Sequence, residues 1–196
     1  MNDQTNSPSQ KKLARLFVLS GPSGVGKTVL CNRIIPFFST KLVYSISSTS
    51  RKPRENEIHG RDYFFYSKED FESAIKQNQF AEWALVHGNY YGTPKSFLNE
   101  KIEQGINVLL NIDVQGAAKI FAEYLDAVTI FILPPSLEVL KERLKRRNLD
   151  SEKDLLVRLS NAKMELEQQN KYHHILVNDD LEKAVVELKS IFEKYI

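Results

Sequence analysis

The sequence predicts an α/β protein in three layers, a central parallel sheet with helices on both faces, with a mixed α/β lobe inserted into it. Three observations carry this. Short apolar runs alternate with segments of helical periodicity from Leu13 onward. A glycine-rich loop joins the first apolar run to the first helical segment. Between Ser47 and Pro94 the texture changes and becomes rich in Tyr, Phe, Arg and Gly.

Each element follows from local pattern. Met1 to Lys12 is polar and reads as a disordered tail. Leu13 to Leu19 is apolar and stops at Ser20-Gly21-Pro22, as a buried strand does. Lys27 to Phe38 is helical, with Leu30, Ile34 and Ile35 on one side and Pro36 bending or ending the last turn. Leu42 to Ile46 is a second strand. In the inserted lobe, Tyr63 to Tyr66 and Phe80 to Val86 read as strands, and Ser67 with Asp70 opens a small helix through a capping box. Asn107 to Ile112 and Val128 to Leu133 read as buried strands, Gly116 to Tyr124 and Leu137 to Arg146 as helices. Ser151 with Asp154 opens a helix toward Gln169. Ile175 to Val177 is a last strand. Asp179 with Glu182 caps the final helix, whose apolar stripe is Leu181, Ala184, Val185, Leu188, Ile191 and Phe192.

Composition narrows the function. The chain has 196 residues, 42% hydrophobic and 27% charged, which suits one globular domain and excludes whole-chain disorder. Net charge is +2, from 27 basic and 25 acidic residues, without the basic excess of a nucleic-acid binder; a local basic pocket for small phosphates stays open. Cys31 is the single cysteine, so neither a disulfide framework nor a Cys-rich zinc site fits within one chain; its expected place is a buried helix face. His59, His87, His173 and His174 lack metal-like spacing. No apolar h-region and no membrane-length apolar stretch is visible, so no membrane partner and a cytoplasmic location are expected.

Gly21-Pro22-Ser23-Gly24-Val25-Gly26-Lys27-Thr28 fits G-x-x-x-x-G-K-[ST] in full, between a strand and a helix. Glycines let the backbone wrap phosphate with successive N–H groups inward. The helix N-terminus adds partial positive charge. Lys27 is suited to β- and γ-phosphates, and Thr28 offers a hydroxyl to Mg²⁺. This points to a nucleoside triphosphate and a P-loop NTPase core. A second constellation lies in the inserted lobe: Ser47 to Arg54 places Arg51 and Arg54 beside hydroxyls, and Arg suits a bidentate grip on phosphate. Tyr63, Phe80-Ala81-Glu82-Trp83 and Gly88-Asn89-Tyr90-Tyr91-Gly92-Thr93 follow.

Together these resemble the guanylate kinase family, from about Leu13 to the C-terminus. The family's S-R-x-P-R-x-x-E-x-x-G-x-x-Y run is matched by Ser50 to Arg54 with Glu57, Gly60 and Tyr63. G-N-Y-Y-G is matched by Gly88 to Gly92, I-D-x-Q-G by Ile112 to Gly116, and V-N-D-D by Val177 to Asp180. The resemblance implies transfer of the γ-phosphoryl of ATP to GMP with Mg²⁺. It implies that Arg51, Arg54, Tyr63 and Tyr91 hold the GMP phosphate, and that Glu82 reads guanine beside Ser47 and Thr93. Guanine offers two adjacent donors, N1–H and the 2-amino group, and one carboxylate accepts both; adenine lacks that pair and would leave a buried carboxylate unpaired. Lys27, Arg51, Arg143, Arg147 and Arg158 are the implied catalytic set; Arg146 has no family counterpart and reads as solvated. Asp113 is the acidic candidate near Mg²⁺, directly or through water, or near guanine. Asn178 is a candidate adenine contact. The implied parts are a core over 13–46, 95–146 and 164–196, a GMP-binding lobe over 47–94 and a helical lid over 147–163, within a domain spanning 13–196. Monomer or homodimer stays open.

Three positions depart from the family pattern: Asn111 stands for an expected Asp, and Asn56 and Asn148 for expected Gly. Asn tolerates positive φ, so the Asn56 turn can form. Competing readings are another small phosphotransferase, and a catalytically inactive scaffold of guanylate-kinase type that binds a phosphorylated protein segment. Glu82 with Ser47 and Thr93 argues against the first. Scaffolds of this type have a degraded phosphate loop, whereas Gly26-Lys27-Thr28 is intact.

Overall fold

The computed structural model describes residues 14–86, 88–146 and 152–196. The expected amino-terminal tail, Arg147, Asn148 and Ser151 lie outside them, as does His87.

Five strands form the central sheet: β1 (Leu16–Ser20), β2 (Leu42–Tyr44), β7 (Asn107–Asn111), β8 (Val128–Leu133) and β9 (His174–Val177), in the order β2-β7-β1-β8-β9. Every pairing is parallel, with Leu16 opposite Val108 and Phe17 opposite Val128. The helices are α1 (Lys27–Ile34), α3 (Lys95–Glu103), α4 (Val114–Glu123), α5 (Leu137–Lys145), α6 (Glu152–Leu166) and α7 (Leu181–Glu193). Strand alternation makes the three layers. Phe17 and Leu19 face a cluster with Leu30 and Ile34 of α1, Leu140 of α5, and Leu188 and Phe192 of α7. Leu16 and Val18 face the other side, with Leu98 of α3, Ala117 and Ile120 of α4, and Phe131.

A second sheet sits on one end of the first, in the order β4-β3-β6-β5, from β3 (Ser48–Thr49), β4 (Phe64–Phe65), β5 (Phe80–Val86) and β6 (Asn89–Pro94). Helix α2 (Lys68–Lys76) covers it through Phe71, which stacks on Phe80 at 4.4 Å and on Tyr90 at 5.3 Å between ring centroids. A register shift between Phe80 and Glu82 interrupts the antiparallel β5–β6 pairing and sets Glu82 opposite Thr93; an extra residue of this kind re-aims the side chain that follows.

Several expectations hold in detail. Ser67 caps α2, accepting from the Asp70 N–H at 3.0 Å. Pro36 lies in a 3₁₀ turn (Ile35–Phe38) that follows the end of α1. Cys31 is buried, and burial pushes its thiol up to about 12. Asn56 takes φ 70°, so the amide serves where glycine was expected. Two details differ. The cap of α7 is Asp180, which accepts from the Lys183 N–H at 2.9 Å, one residue later than the Asp179 reading. Helix α4 begins at Val114, because the Asp113 carboxylate accepts from the Gln115 and Gly116 N–H groups and starts the helix there.

Candidate active site

A cleft of about 470 Å³ opens between the two sheets, at the carboxyl ends of the central strands. Its floor is the loop after β1. That strand is central, with β7 on one side and β8 on the other, so the loop leaves the sheet where the crossover connections part, the usual ligand crevice of open α/β sheets. Gly24 and Gly26 have φ 91° and 97°, a region costly for any side chain. A Cβ at Gly26 would press into the Asn178 amide nitrogen. Gly26 begins α1 with no side-chain cap, which leaves the first-turn N–H groups of the helix turned to the cleft. Lys27 Nζ donates to the carbonyls of Gly21 and Pro22, folded over its own loop. Thr28 Oγ1 accepts from Asn111 Nδ2 at 3.2 Å, and Asn111 also reaches the Tyr44 hydroxyl at 3.3 Å.

Behind the loop, buried Asn178 donates from Nδ2 to the Val25 carbonyl at 2.7 Å, while Arg143 Nη2 donates to the Asn178 carbonyl at 2.9 Å. Asn178, expected at adenine, thus braces the loop from behind. Helix α6 crosses the mouth, and Arg158 Nη2 donates to Ser23 Oγ at 2.7 Å. Arg143 Nη1 and Arg51 Nε are buried with no hydrogen-bond partner among the described residues.

The far end is built by the second sheet. Arg51 pairs with Glu57 at 2.9 Å and lies 5.5 Å from the Tyr63 ring centroid. Burial opposes its charge, but bonds to Glu57 and Tyr91 overcome this and raise its pKa above the usual value. Glu57 also accepts from the Arg54 N–H at 2.7 Å, closing the turn that carries both arginines. Tyr63 and Tyr91 meet edge to face, 6.0 Å between centroids. Ser47 and Arg54 line the same cleft. Glu82 is 3% exposed, and its Oε1 accepts from the Thr93 hydroxyl at 2.6 Å. Burial pushes its carboxyl up to about 7, opposed by the Thr93 bond and reinforced by the Asp113 charge.

Sequence reasoning missed Glu165 of α6, which lines the cleft beside Val157 and Arg158. Burial pushes it up to about 7, with the Lys27 charge opposing and Asp113 reinforcing. The signal was available: Glu165 follows Arg158 by seven residues, two helical turns, with buried Ala162 between them. Gly116 was read only as part of a motif. A Cβ there would meet the Glu82 carboxylate, with Cδ at 2.9 Å and Oε2 closer still.

Hard oxygen donors for a cation are the Thr28 hydroxyl and the Asp113 carboxylate, both in the cleft. Among the described residues no cluster of three or more His, Cys, Asp or Glu forms a metal cage. A pair of hard oxygen donors fits Mg²⁺, which keeps waters and takes phosphate oxygens with only one or two protein ligands. Among the described residues no helix is long and apolar enough to cross a membrane.

The family model described as guanylate kinase matches residues 13–195. A guanylate kinase of Caldanaerobacter subterraneus subsp. tengcongensis is 44% identical over 93% of this chain and 88% of its own length. One of Wolbachia sp. subsp. Brugia malayi is 46% identical over 91% of this chain and 92% of its own. The crystal structure of guanylate kinase from Anaplasma phagocytophilum superposes with a TM-score of 0.75 at 32% identity, covering 93% of this chain and 86% of that one.

Proposed function

For a chain that belongs to the guanylate kinase family of nucleoside monophosphate kinases, we propose the following division of labour in moving the γ-phosphoryl of ATP to GMP, giving ADP and GDP. The observation that carries it is the pairing, in one cleft, of an intact phosphate loop with a buried carboxylate, Glu82, held by the Thr93 hydroxyl.

ATP lies along the Gly21–Thr28 loop, its β- and γ-phosphates on the loop N–H groups and the α1 N-terminus. Lys27 exchanges the Gly21 and Pro22 carbonyls for phosphate oxygens. Asn178 and Arg143 keep the loop's shape from behind. Thr28 and, directly or through water, Asp113 would hold Mg²⁺, which would supply neutralisation of phosphate charge.

GMP enters the second sheet. Arg51, Arg54, Tyr63 and Tyr91 grip its phosphate. Glu82 accepts N1–H and the 2-amino group of guanine, supported by Thr93 and Ser47, with Asp113 nearby. A GMP phosphate oxygen attacks the γ-phosphorus in line and ADP leaves. That oxygen is already anionic near neutral pH, so no strong base is needed, and catalysis is alignment plus screening of two anions. Arg51, Arg147 and Arg158 supply that screening, and Arg143 joins it through Nη1, the guanidinium nitrogen not bonded to Asn178. The 47–94 lobe and the 147–163 lid close over both nucleotides and exclude water. The reaction belongs to purine nucleotide metabolism and GMP recycling in the cytoplasm.

The test is ADP release from Mg-ATP with GMP, AMP, CMP and UMP offered separately. Release with GMP alone supports the reading. No release with any of the four would favour a phosphopeptide-binding scaffold.

A further inference from the structure

Helix α4 packs against strand β5, and two of its residues make that contact next to the base-reading end of the cleft. The first is Gly116, against which the Glu82 carboxylate rests. The second is Lys119, one helical turn further on the same face. Lys119 Nζ donates to the carbonyl oxygen of Trp83, and the same ammonium lies 4.2 Å from the centroid of the Trp83 indole. Trp83 follows Glu82 on β5 and packs against the Phe71–Phe80 cluster under the second sheet, with its ring edge on Tyr90 at 5.9 Å.

The two contacts differ in kind. Gly116 has no side chain; it permits close approach but attracts nothing. Lys119 supplies attraction, from a charged hydrogen bond and a cation–π contact on one ammonium. It reaches from the core to the residue beside Glu82, so the strand cannot slide along α4 without breaking both. Its charge also favours the ionised form of Glu82. A lysine on an exposed helix face is ordinarily a solvated charge; here its end is fixed on the second sheet.

We propose that Lys119 is a positioning residue for base selection: it ties β5 to α4 and so holds Glu82 in line with the two adjacent donors of guanine. This rests on the reading of Glu82 as the guanine acceptor.

The test uses the full chain with Lys119→Met, Lys119→Arg and, separately, Glu82→Gln. Met keeps most of the stem and removes both contacts; Arg retains a cation and donors. The readouts are kcat/KM for GMP and for IMP (which lacks the 2-amino donor), KM for ATP, and Tm. For Lys119→Met the expected result is a fall of about tenfold in kcat/KM for GMP and about fivefold in the GMP-over-IMP ratio, scaled to a lost charged hydrogen bond and cation–π contact. KM for ATP stays unchanged, and Lys119→Arg recovers most of the ratio. A lowered Tm with an unchanged ratio would make Lys119 merely structural and overturn the proposal. Glu82→Gln separates the two claims. If it collapses the ratio while Lys119→Met does not, only the Lys119 proposal fails. If it leaves the ratio intact, the guanine reading fails and the proposal with it.

Discussion

Replacing Gly116 by alanine sets helix stability against base recognition. Gly116 lies in the first turn of α4, where alanine is the better helix former by up to about 1 kcal/mol. Propensity alone would therefore make Gly116→Ala neutral or stabilising. The added Cβ, however, would stand 2.9 Å from Glu82 Cδ and closer to Oε2. Ordinary contact needs about 3.5 Å or more, so the carboxylate must retreat by roughly 1 Å. It has little room, being 3% exposed and tied through Oε1 to Thr93 at 2.6 Å. A displacement of that size at a positioned group is worth about a hundredfold in rate. The expected outcome is a fall of about a hundredfold in kcat/KM for GMP, with KM for ATP unchanged and Tm within a few degrees of the parent. The assay is coupled ADP release with GMP varied at saturating Mg-ATP, beside a thermal melt. Parental kcat/KM for GMP in a folded Gly116→Ala protein would refute the reasoning that Gly116 exists to admit Glu82.

Glu82 makes GMP binding sensitive to pH. Its carboxyl is raised to about 7 by burial, and guanine's two donors require the ionised form, so KM for GMP should climb about tenfold per pH unit below about 7 and level off above it; a flat profile from pH 5.5 to 8 would count against this. The linkage has the opposite sign for folding. The folded value lies above the unfolded one, near 4.5, so the Glu82 contribution to stability is whole below about pH 4.5 and is lost as pH rises through about 7. The loss is about 3 kcal/mol, and Glu82→Gln should raise Tm at pH 8 more than at pH 5. Gly26→Ala forces a side chain into φ 97° and onto the Asn178 amide. The strain of about 1–3 kcal/mol should appear as a rise of at least tenfold in KM for ATP, with KM for GMP little changed. Asn111→Asp exchanges the amide beside Thr28 Oγ1 for a carboxylate; the Mg²⁺ concentration at half-maximal rate should fall several-fold, read by titration at fixed ATP.

Much of this was legible in the sequence because the physics is local. Buried parallel strands show as short apolar runs, and Val128–Leu133 and Phe80–Val86 fall where the pattern puts them. Capping boxes give Ser67. The phosphate loop is read from glycine and lysine spacing alone. Other elements were hidden for identifiable reasons. Strand β3 is two residues long, too short for any period. Helix α3 buries only Leu98 fully, so its stripe is faint. Strand β6 carries Gly92 and ends at Pro94, residues that usually mark turns. In the cleft, Glu165 needed the fold to turn one face of α6 toward Lys27. The Gly116–Glu82 contact joins residues far apart in sequence and cannot be inferred from either motif alone.

ADP release by itself does not distinguish transfer from hydrolysis, so the most direct measurement follows the phosphoryl group. With ATP labelled at the γ-phosphate, Mg²⁺ and GMP, the account expects the label in the β-phosphate of GDP, in step with ADP formed, and little in inorganic phosphate. Label accumulating as inorganic phosphate, or remaining in ATP in the presence of GMP, would contradict the claim that this cleft aligns two nucleotides for direct transfer.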